Sequence, residues 1–502
     1  MINRDSKQQN ERTGKLDTSE VELQFFDSCY MLKEEEDEKW SGWLKPSCIP
    51  LTIILILILL VVVLPLLDNE KNDDDSSARL SDLTYLRKNC NSPCVFQLVE
   101  SIPENLTYTK GSPLHPSIFE GWLDLIEKAE KSIDIASFYW TLRGDDVVPD
   151  PSAWEGERVF QELLHAGNTR NINIRIAQNK PSIYQPNKDT EYLARKGAAT
   201  VRSVDFDRLI GAGVLHTKMW LIDNQHFYIG SANMDWRALT QVKELGAIMY
   251  NCSCLATDIA KIFEVYWMLG KKGAKIPPTW PISLQTDINA ETPLGVTINN
   301  TLTDVYFSSS PPLFCPDGRT SDIDSILDVI NKAEEYIFVA VMDYFPTTLY
   351  TKTKRYWPVI DDALRKAAVE RRVHVRLLAS WWNHTRPSML YFIQSLAALN
   401  SNDFQIEVKL FIVPTYTEAQ AKIPYARVNH NKYMVTDNSA YIGTSNWSED
   451  YFINTGGIGF ILNQSQNDTA SSQPITDQLT AVFERDWFSE YAHSLSEFER
   501  YS

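Results

Sequence analysis

The chain has 502 residues, which exceeds one ordinary domain and predicts two fused domains or one duplicated unit. Its formal net charge of −17 at pH 7 argues against a broad basic surface of the kind that holds long nucleic acids or anionic membranes. A local basic pocket is still compatible with this charge, and an acidic compartment would neutralise part of it.

The N-terminal region predicts a membrane anchor. Residues 1–47 are polar and acidic and lack an apolar period long enough for a core, so we expect a disordered cytosolic tail. Ile49–Leu67 is almost wholly Leu, Ile and Val, which predicts a transmembrane helix at residues 48–68; a signal peptide would have a shorter apolar region nearer the start. Lys39 and Lys45 precede the span and an acidic run follows it, so the positive-inside tendency places all later residues in a lumen or outside the cell.

Glycosylation sequons support this orientation, because they follow the span. We predict glycans at Asn105, Asn299, Asn383, Asn463 and Asn467. Asn251 and Asn446 also fit the Asn-x-Ser/Thr pattern, but the first lies beside a cysteine pair and the second within a motif described below. We expect these two to be unmodified.

The cysteines after the span suit an oxidising lumen. There, Cys90 and Cys94 can bridge to Cys252 and Cys254, which leaves Cys315 over. The same four thiols can also form a zinc site, but their two short spacings differ from the usual C-x-x-C knuckles. We therefore favour disulfides, and the sequence does not determine which cysteines pair.

A repeated segment divides the rest of the chain. Leu123–Trp140 matches Leu327–Phe345 at most positions, and each predicts an amphipathic helix followed by a strand. Ser117–Glu120 fits a capping box at the start of the first of these helices. A second echo pairs Ile172–Ile176 with Val373–Leu377, each of which reads as a strand after a helix.

These repeats predict a duplicated α/β unit, with copies at residues 113–275 and 316–490. Residues 276–315 contain Pro-rich and Asn-Thr-rich stretches and are interpreted as the connection between the copies. Residues 69–112 are expected to form a luminal stalk, and residues 491–502 a C-terminal tail.

Two stretches share the pattern H-x-K-x-x-x-x-D. They are HTKMWLID at residues 216–223 and HNKYMVTD at residues 430–437, and each leads into a Gly-Ser/Thr-x-Asn turn that ends at Asn233 or Asn446. The residues from Lys to Asp read as a strand, so period two sends the His and Lys of each motif to the same face. We interpret the pair as two halves of one active site.

The motif residues suit phosphoryl transfer without a metal or other cofactor. Lys218 and Lys432 supply positive charge, and the two turn asparagines with nearby backbone N–H groups can hold phosphate oxygens. One histidine can attack phosphorus and form a phosphohistidine, while the other protonates the leaving oxygen and later deprotonates water. The lysines favour a neutral nucleophile in acid.

The paired motifs resemble those of the phospholipase D superfamily. The surrounding sequence, which includes GSANMDWRALTQVKELG and GTSNWSEDYF after a single N-terminal span, is similar to members three and four of the vertebrate branch. This resemblance implies two lobes, each a mixed sheet flanked by helices, with one active site at their interface. It also implies a single-pass type II protein that passes through the endoplasmic reticulum and Golgi to the endolysosome, where cleavage near residues 68–82 releases a soluble form. The implied activity is an acid 5′-to-3′ exonuclease on single-stranded DNA and RNA, and a homodimer is suggested.

Carried onto this sequence, the resemblance defines a catalytic set and a structural pair. The catalytic set is His216, Lys218, Asn233, His430, Lys432 and Asn446. The structural pair is Asp223 and Asp437, the second at a position where close relatives often have Glu.

Glu244 breaks the symmetry between the copies. It lies eleven residues after Asn233, where the superfamily often places a carboxylate that orients a motif histidine, and the matching position in the second copy is Gly457. Because a carboxylate-backed imidazole is the better nucleophile, we predict His216 as the nucleophile and His430 as the general acid.

Three aromatic groups follow predicted strands, at Phe138–Trp140, Tyr344–Phe345 and Trp381–Trp382. They can stack unpaired bases in a substrate channel or pack in the core. Two other functions stay open: hydrolysis or transphosphatidylation of phospholipids through the same phosphohistidine, and a non-catalytic membrane protein that acts through partners.

Overall fold

The computed structural model describes residues 90, 92–351, 353–464 and 473–501. The predicted cytosolic tail, the transmembrane segment and residues 69–89 of the stalk lie outside these ranges, as does the sequon at Asn467. Within the described ranges, no helix has the length and apolar character needed to cross a bilayer.

The first lobe is a mixed seven-stranded sheet with the order β1-β9-β7-β6-β2-β4-β5, in which only β2, β4 and β5 run parallel to one another. Its strands are β1 Val95–Ser101, β2 Ser132–Ser137, β4 Asn173–Asn179, β5 Thr200–Val204, β6 Met219–Ile222, β7 His226–Gly230 and β9 Glu244–Tyr250. A separate ribbon pairs β3 Trp140–Thr141 with β8 Met234–Asp235. The helices are α1 Ile118–Lys128, α2 Trp154–Asn168, α3 Lys188–Arg195, α4 Phe206–Ile210, α5 Trp236–Thr240 and α6 Ser253–Leu269.

The second lobe repeats this order and adds a strand at each edge, giving β10-β11-β17-β16-β15-β12-β13-β14-β18. Its strands are β10 Leu294–Ile298, β11 Thr301–Ser310, β12 Tyr336–Val341, β13 His374–Ser380, β14 Ile406–Phe411, β15 Lys432–Thr436, β16 Ser439–Gly443, β17 Gly457–Asn463 and β18 Ala492–Ser494. Its helices are α7 Asp322–Lys332, α8 Val359–Arg371, α9 Met389–Ala397, α10 Glu418–Lys422, α11 Glu449–Ile453 and α12 Ile475–Trp487. The predicted duplication of a mixed α/β unit is confirmed.

The repeated helices begin with the same local device. The Ser117 hydroxyl accepts the backbone N–H of Glu120, whose carboxylate accepts the Ser117 N–H, so the predicted capping box is present at α1. At α7, Ser321 accepts the N–H of Asp324 in the same way. Each cap fixes the residue at which its helix starts. The apolar face of that helix then packs on the sheet.

Three predicted domain boundaries are wrong, because segments read as irregular form sheet edges. Strand β1 lies in the predicted stalk at 69–112 and pairs with β9 over its whole length. Strands β10 and β11 lie in the predicted connection at 276–315, and β18 lies in the predicted tail at 491–502. Ser and Thr on β11 resemble loop composition, yet Val305, Tyr306 and Phe307 are buried there and the strand pairs with β17.

The two lobes share one core. Phe227 of β7 lies 5.5 Å from Phe307 of β11 and 5.6 Å from Phe460 of β17, measured between ring centroids. These rings belong to a single cluster that also includes apolar residues of α6 and α12. Because burial of such rings dominates core energetics, neither sheet can leave this contact without exposing its inner face.

Two disulfides attach the start of the described chain to the first lobe. Cys90 is bonded to Cys254 and Cys94 to Cys252, so the four sulfur atoms are used in cross-links rather than in the alternative zinc site. Cys315 has a free thiol, and burial raises its pKa to about 11. A thiol with such a pKa is a poor nucleophile.

A buried ion network also joins the lobes. Arg485 on α12 binds Glu100 on β1 at 2.7 Å and Asp486 at 3.0 Å, and Lys243 binds Asp486 at 2.7 Å. These side chains are at most 1% exposed, and the Tyr108 hydroxyl donates to Asp486 at 2.6 Å. Two cations thus balance two carboxylates in a site closed to water.

We expect Arg485→Met to lower the free energy of unfolding by about 3–5 kcal/mol, because it leaves two buried carboxylates with one cation. Arg158→Met is the control, since Arg158 pairs with Glu162 on the surface and its loss should change stability by less than about 1 kcal/mol. Denaturant unfolding of both variants measures this. Equal small losses would contradict a structural role for the network.

Candidate active site

Each motif histidine is fixed by the backbone of the opposite lobe. The His216 N–H donates to Gly456 O at 2.8 Å, and the His430 N–H donates to Lys243 O at 2.8 Å. Short parallel bridges, Leu215 with Gly456 and Lys243 with Asn429, accompany these bonds. The residues that follow are Gly457 and Glu244, which open β17 and β9, so each histidine stands beside the first residue of the other lobe's strand.

One cavity of about 360 Å³ receives side chains from both motifs. The predicted site residues that line it are His216, Asn233, Glu244, His430 and Asn446. Lys218 and Lys432 are buried directly behind their histidines, with Nζ donating to His216 O at 2.5 Å and to His430 O at 2.6 Å. The duplication has therefore brought all seven residues to one place.

His216 is held as a neutral imidazole. Its Nδ1 lies 2.9 Å from Thr444 O, a carbonyl that can only accept, so Nδ1 carries a hydrogen, and in the neutral ring Nε2 has the lone pair. Burial, followed by the charges of Lys218 and Lys432, lowers its pKa well below the usual value. The rings of Phe138 and Tyr451 enclose it at centroid distances of 5.3 and 5.1 Å.

Glu244 orients His430, which corrects the premise on which the histidine roles were predicted. Both carboxylate oxygens lie 2.9 Å from Nδ1 of His430. The sequence places Glu244 in the same copy as His216, but Glu244 begins β9 directly after the bridge between Lys243 and Asn429, so its side chain meets the other lobe's motif. His216 has the Thr444 carbonyl in the corresponding position.

The buried surroundings of the Glu244–His430 pair favour an extra proton on it. Burial raises the pKa of Glu244 to about 8 against the opposing charge of Lys432. Burial, Lys432 and Lys218 lower the pKa of His430, so the pair titrates as a unit in which one proton lies between Oε and Nδ1. On whichever atom that proton sits, the protonated pair has a hydrogen on Nε2 of His430. Such a pair can act as one acid.

Packing explains why, of the two motif histidines, His430 has a carboxylate beside its Nδ1 atom and His216 does not. A Cβ atom at Gly457 would lie 2.3 Å from Ser445 Oγ and 2.8 Å from Ser310 Oγ. Both distances are far below ordinary contact, so a side chain matching Glu244 has no space there. The asymmetry read from the sequence is therefore built into the second lobe's packing.

The lysines and asparagines supply polar groups around the histidines. Burial lowers the pKa of Lys432 to about 7, opposed by Glu244 and Asp343, and lowers that of Lys218 well below its usual value. Asn446 donates to the Tyr451 hydroxyl at 3.0 Å, while the amide oxygens of both Asn446 and Asn233 are buried without a hydrogen-bond partner among the described residues. Unpaired buried polar atoms in a cavity indicate a ligand or water site.

The motif aspartates lie away from the cavity. Asp223 accepts the backbone N–H groups of Glu130, Lys131 and Ser132 at 2.6–2.8 Å, which ties the end of β6 to the start of β2. Asp437 accepts N–H groups at the matching turn before β12. Their contacts are those of residues that hold the motif strands.

Sequence reasoning missed several cavity neighbours. Asp343 lies beside Asn446 and Lys432, and burial raises its pKa to about 6. In the repeat it matches Tyr139, whose hydroxyl donates to Asp235 on the cavity wall. The change from Tyr139 in the first copy to Asp343 in the second, at the end of matching strands, could have identified Asp343 as a candidate site residue from the sequence.

The three aromatic groups divide between core and cavity. Trp140, Tyr344 and Phe345 are buried in the hydrophobic clusters, so for them the core interpretation holds. Trp381 packs at the edge of the second lobe's core. The remaining three, Phe138, Tyr139 and Trp382, line the cavity.

Comparison with known proteins agrees with this geometry. A family profile described as PLD3/4, PLD-like domain, matches residues 109–416. The 5'-3' exonuclease PLD3 of Xenopus laevis is 54% identical over 414 residues, which are 82% of this chain and 83% of that protein. This chain belongs to the PLD3/4 family.

Two further matches extend this result. The 5'-3' exonuclease PLD4 of Mus musculus is 48% identical over 415 residues, or 81% of this chain and 80% of that protein. A phosphatidylserine synthase of Haemophilus influenzae Rd KW20 superposes with a TM-score of 0.50 at 12% identity, covering 83% of this chain and 93% of its own, which shows a shared fold. The match to the PLD3/4 profile ends at residue 416, before the second motif. The structure places His430 in the same cavity as His216, which lies within the matched region.

We expect Asp223→Ala to lower the free energy of unfolding by about 2–3 kcal/mol, because three backbone N–H groups lose a charged acceptor. Asp207→Ala, an exposed aspartate on α4, should change it by less than about 0.5 kcal/mol. Thermal unfolding provides the measurement. A variant of full stability that still loses turnover well below its melting temperature would show that Asp223 acts in the chemistry.

Proposed function

We propose that this protein is an acid 5′-to-3′ exonuclease on single-stranded DNA and RNA that works through a phosphohistidine. The observation that carries the proposal is the meeting of His216 and the Glu244–His430 pair in one cavity. The names of the PLD3 and PLD4 relatives, at 54% and 48% identity, support the substrate class and the direction of digestion.

The corrected position of Glu244 gives a different reason for the same histidine roles. A nucleophile needs a lone pair, and His216, which lacks a carboxylate partner, presents Nε2 unprotonated. A general acid needs a proton, and the Glu244–His430 pair retains one. We therefore keep His216 as the nucleophile and His430 as the acid.

In the first step, Nε2 of His216 attacks phosphorus, the P–N bond forms and the P–O bond to the leaving group breaks. The proton on Nε2 of His430 passes to the leaving oxygen. In the second step, His430 takes a proton from water, the water oxygen attacks phosphorus and the P–N bond breaks, which restores both histidines. Lys218, Lys432 and the two asparagines stabilise the charge on the phosphoryl oxygens.

This scheme predicts the direction of the pH dependence. As pH rises through about 7 to 8, Lys432 loses its charge and the Glu244–His430 pair loses its acidic proton, so kcat/KM falls. In acid, His216 stays neutral because its pKa is well below the usual value. Activity is thus greatest at acid pH.

Glu244→Gln should lower kcat in acid about 100-fold. A glutamine side chain does not titrate, so it cannot share the extra proton that lets His430 act as the acid. The alkaline limb of the pH profile should also move to lower pH, since an imidazole without its carboxylate binds a proton less readily beside two lysines. Glu191→Gln, at an exposed position on α3, is the matched control and should leave the profile unchanged. An unshifted limb in Glu244→Gln would contradict the paired acid.

The central experiment uses the luminal protein at acid pH with an end-labelled single-stranded oligonucleotide and EDTA. Stepwise shortening is expected, and both His216→Ala and His430→Ala should abolish it. Inhibition by EDTA would contradict metal-free chemistry. Turnover of a phospholipid with no shortening of the oligonucleotide would favour the lipid reaction, and inactivity on both substrates would favour the non-catalytic alternative.

Quenching with an alkaline denaturant during turnover identifies the nucleophile, because the P–N bond of a phosphohistidine survives in base and hydrolyses in acid. His430→Ala removes the base that activates water, so a phosphodiester whose leaving group needs no proton, such as a p-nitrophenyl ester, should leave labelled phosphate on the enzyme. Peptide mapping should place the label at His216. Label on His430 in the wild-type protein would reverse the two roles.

Cell location and modification form a further part of the proposal. The apolar stretch at 48–68 and the charges that flank it support a single-pass type II protein. An endolysosomal location, cleavage near residues 68–82 and a homodimer are proposed with it. Glycans are proposed at Asn105, Asn383, Asn463 and Asn467, the first two of which are exposed. Asn299 is the exception, because both amide atoms pair with the backbone of Phe96 at 3.0 Å.

A further inference from the structure

A stacked group of aromatic rings stands at the mouth of the cavity and has no part in the chemistry above. His384 lies 4.5 Å from Tyr425 with an interplanar angle of 16°, and Trp382 lies 4.7 Å from His384, all between ring centroids. Trp382 and Tyr425 also line the cavity. We name Trp382, His384 and Tyr425 the aromatic rim. Tyr425 is 62% exposed, so much of its ring is free to contact a ligand.

The backbone that presents Tyr425 is held in an unfavourable conformation. Tyr425 has φ of +54° and Arg427 has φ of +56°, values that non-glycine residues adopt at a cost. Residues of the first lobe bind the backbone on both sides of Tyr425. The Arg237 guanidinium donates to Pro424 O, and the Arg427 N–H donates to Gln241 O at 3.1 Å. Contacts from the first lobe therefore hold the backbone on both sides of the exposed Tyr425 ring.

The first lobe contributes a ring to the same mouth. Tyr184 lies in the loop before α3, is 89% exposed and lines the cavity. Two backbone hydrogen bonds between Ser182 and Gln185, at 3.0 and 3.2 Å, close the turn that carries it. Exposed rings thus approach the cavity from both lobes.

The chemistry of this rim fits unpaired nucleobases. Flat aromatic rings stack on any base, so a platform of this kind binds single strands without reading their sequence. Bases in a duplex are already stacked and paired, and they present no free face to such a ring. The net charge of −17 also limits how much of the binding energy an ionic contact with the backbone can supply.

We propose that Trp382, His384 and Tyr425 form a subsite that stacks the bases next to the scissile phosphate, with Tyr184 on its opposite side. This inference rests on the proposed nuclease function and adds to it that the protein binds the bases of the substrate as well as its phosphate. Histidines and lysines act on one phosphate, while the rim holds the strand that carries it. Preference for single strands follows from the rim.

The test compares two oligonucleotides of the same length, one complete and one with abasic sugars at its second and third positions. Tyr425→Ala should raise KM for the complete strand about 5- to 100-fold and leave KM for the abasic strand unchanged. Tyr391→Ala, which removes a 60%-exposed ring from α9, should change neither, and Tyr425→Phe should retain the wild-type values. Thermal unfolding checks that each variant is folded.

A binding measurement separates this proposal from the nuclease proposal. Fluorescence titration of His216→Ala should show tighter binding of the complete strand than of the abasic strand, and addition of Trp382→Ala should remove the difference. Equal binding of the two strands, or an equal loss on both in Tyr425→Ala, overturns the stacking subsite. Base-dependent binding by a wild-type protein that shortens neither strand would overturn the nuclease function and leave the subsite standing.

Discussion

The site depends on backbone hydrogen bonds that cross between the lobes. Without the bonds from His216 to Gly456 and from His430 to Lys243, the two motifs would be separate strand ends on separate sheets. The shared core and the buried pairing of Arg485 with Glu100 keep these crossing points in register. The geometry of the site is therefore a property of the packed pair of lobes, because each motif histidine takes the partners of its backbone N–H and of its Nδ1 atom from the other lobe.

Burial has opposite uses for the two histidines. Around His216 it works with the lysine charges to lower the pKa of the imidazole, whereas at Glu244 it raises the pKa of the carboxyl group and so favours the proton that Glu244 shares with His430. In the proposed mechanism, one buried cavity thus gives two identical side chains the roles of nucleophile and acid. The difference comes from one carboxylate, held 2.9 Å from His430.

Local patterns in the sequence were sufficient for the repeat, for the motif residues and for the capping box at Ser117, because spacing along the chain determines these features. The partner of Glu244 was predicted wrongly, since it is set by contact with a residue 186 positions away. Strands β10 and β11 were missed for a related reason. The Ser- and Thr-rich composition of β11 resembles a loop, and its pairing with β17 and β10 is not visible in that composition.

The Glu244 and Gly457 positions show what joining two copies in one chain permits. Two identical subunits related by a two-fold axis must place the same residue at both positions, and any substitution then occurs twice. Glutamate at both would collide with the serine hydroxyls around Gly457, while glycine at both would leave no carboxylate for either histidine. Covalent fusion releases the halves from that symmetry, so each can specialise without imposing its change on the other.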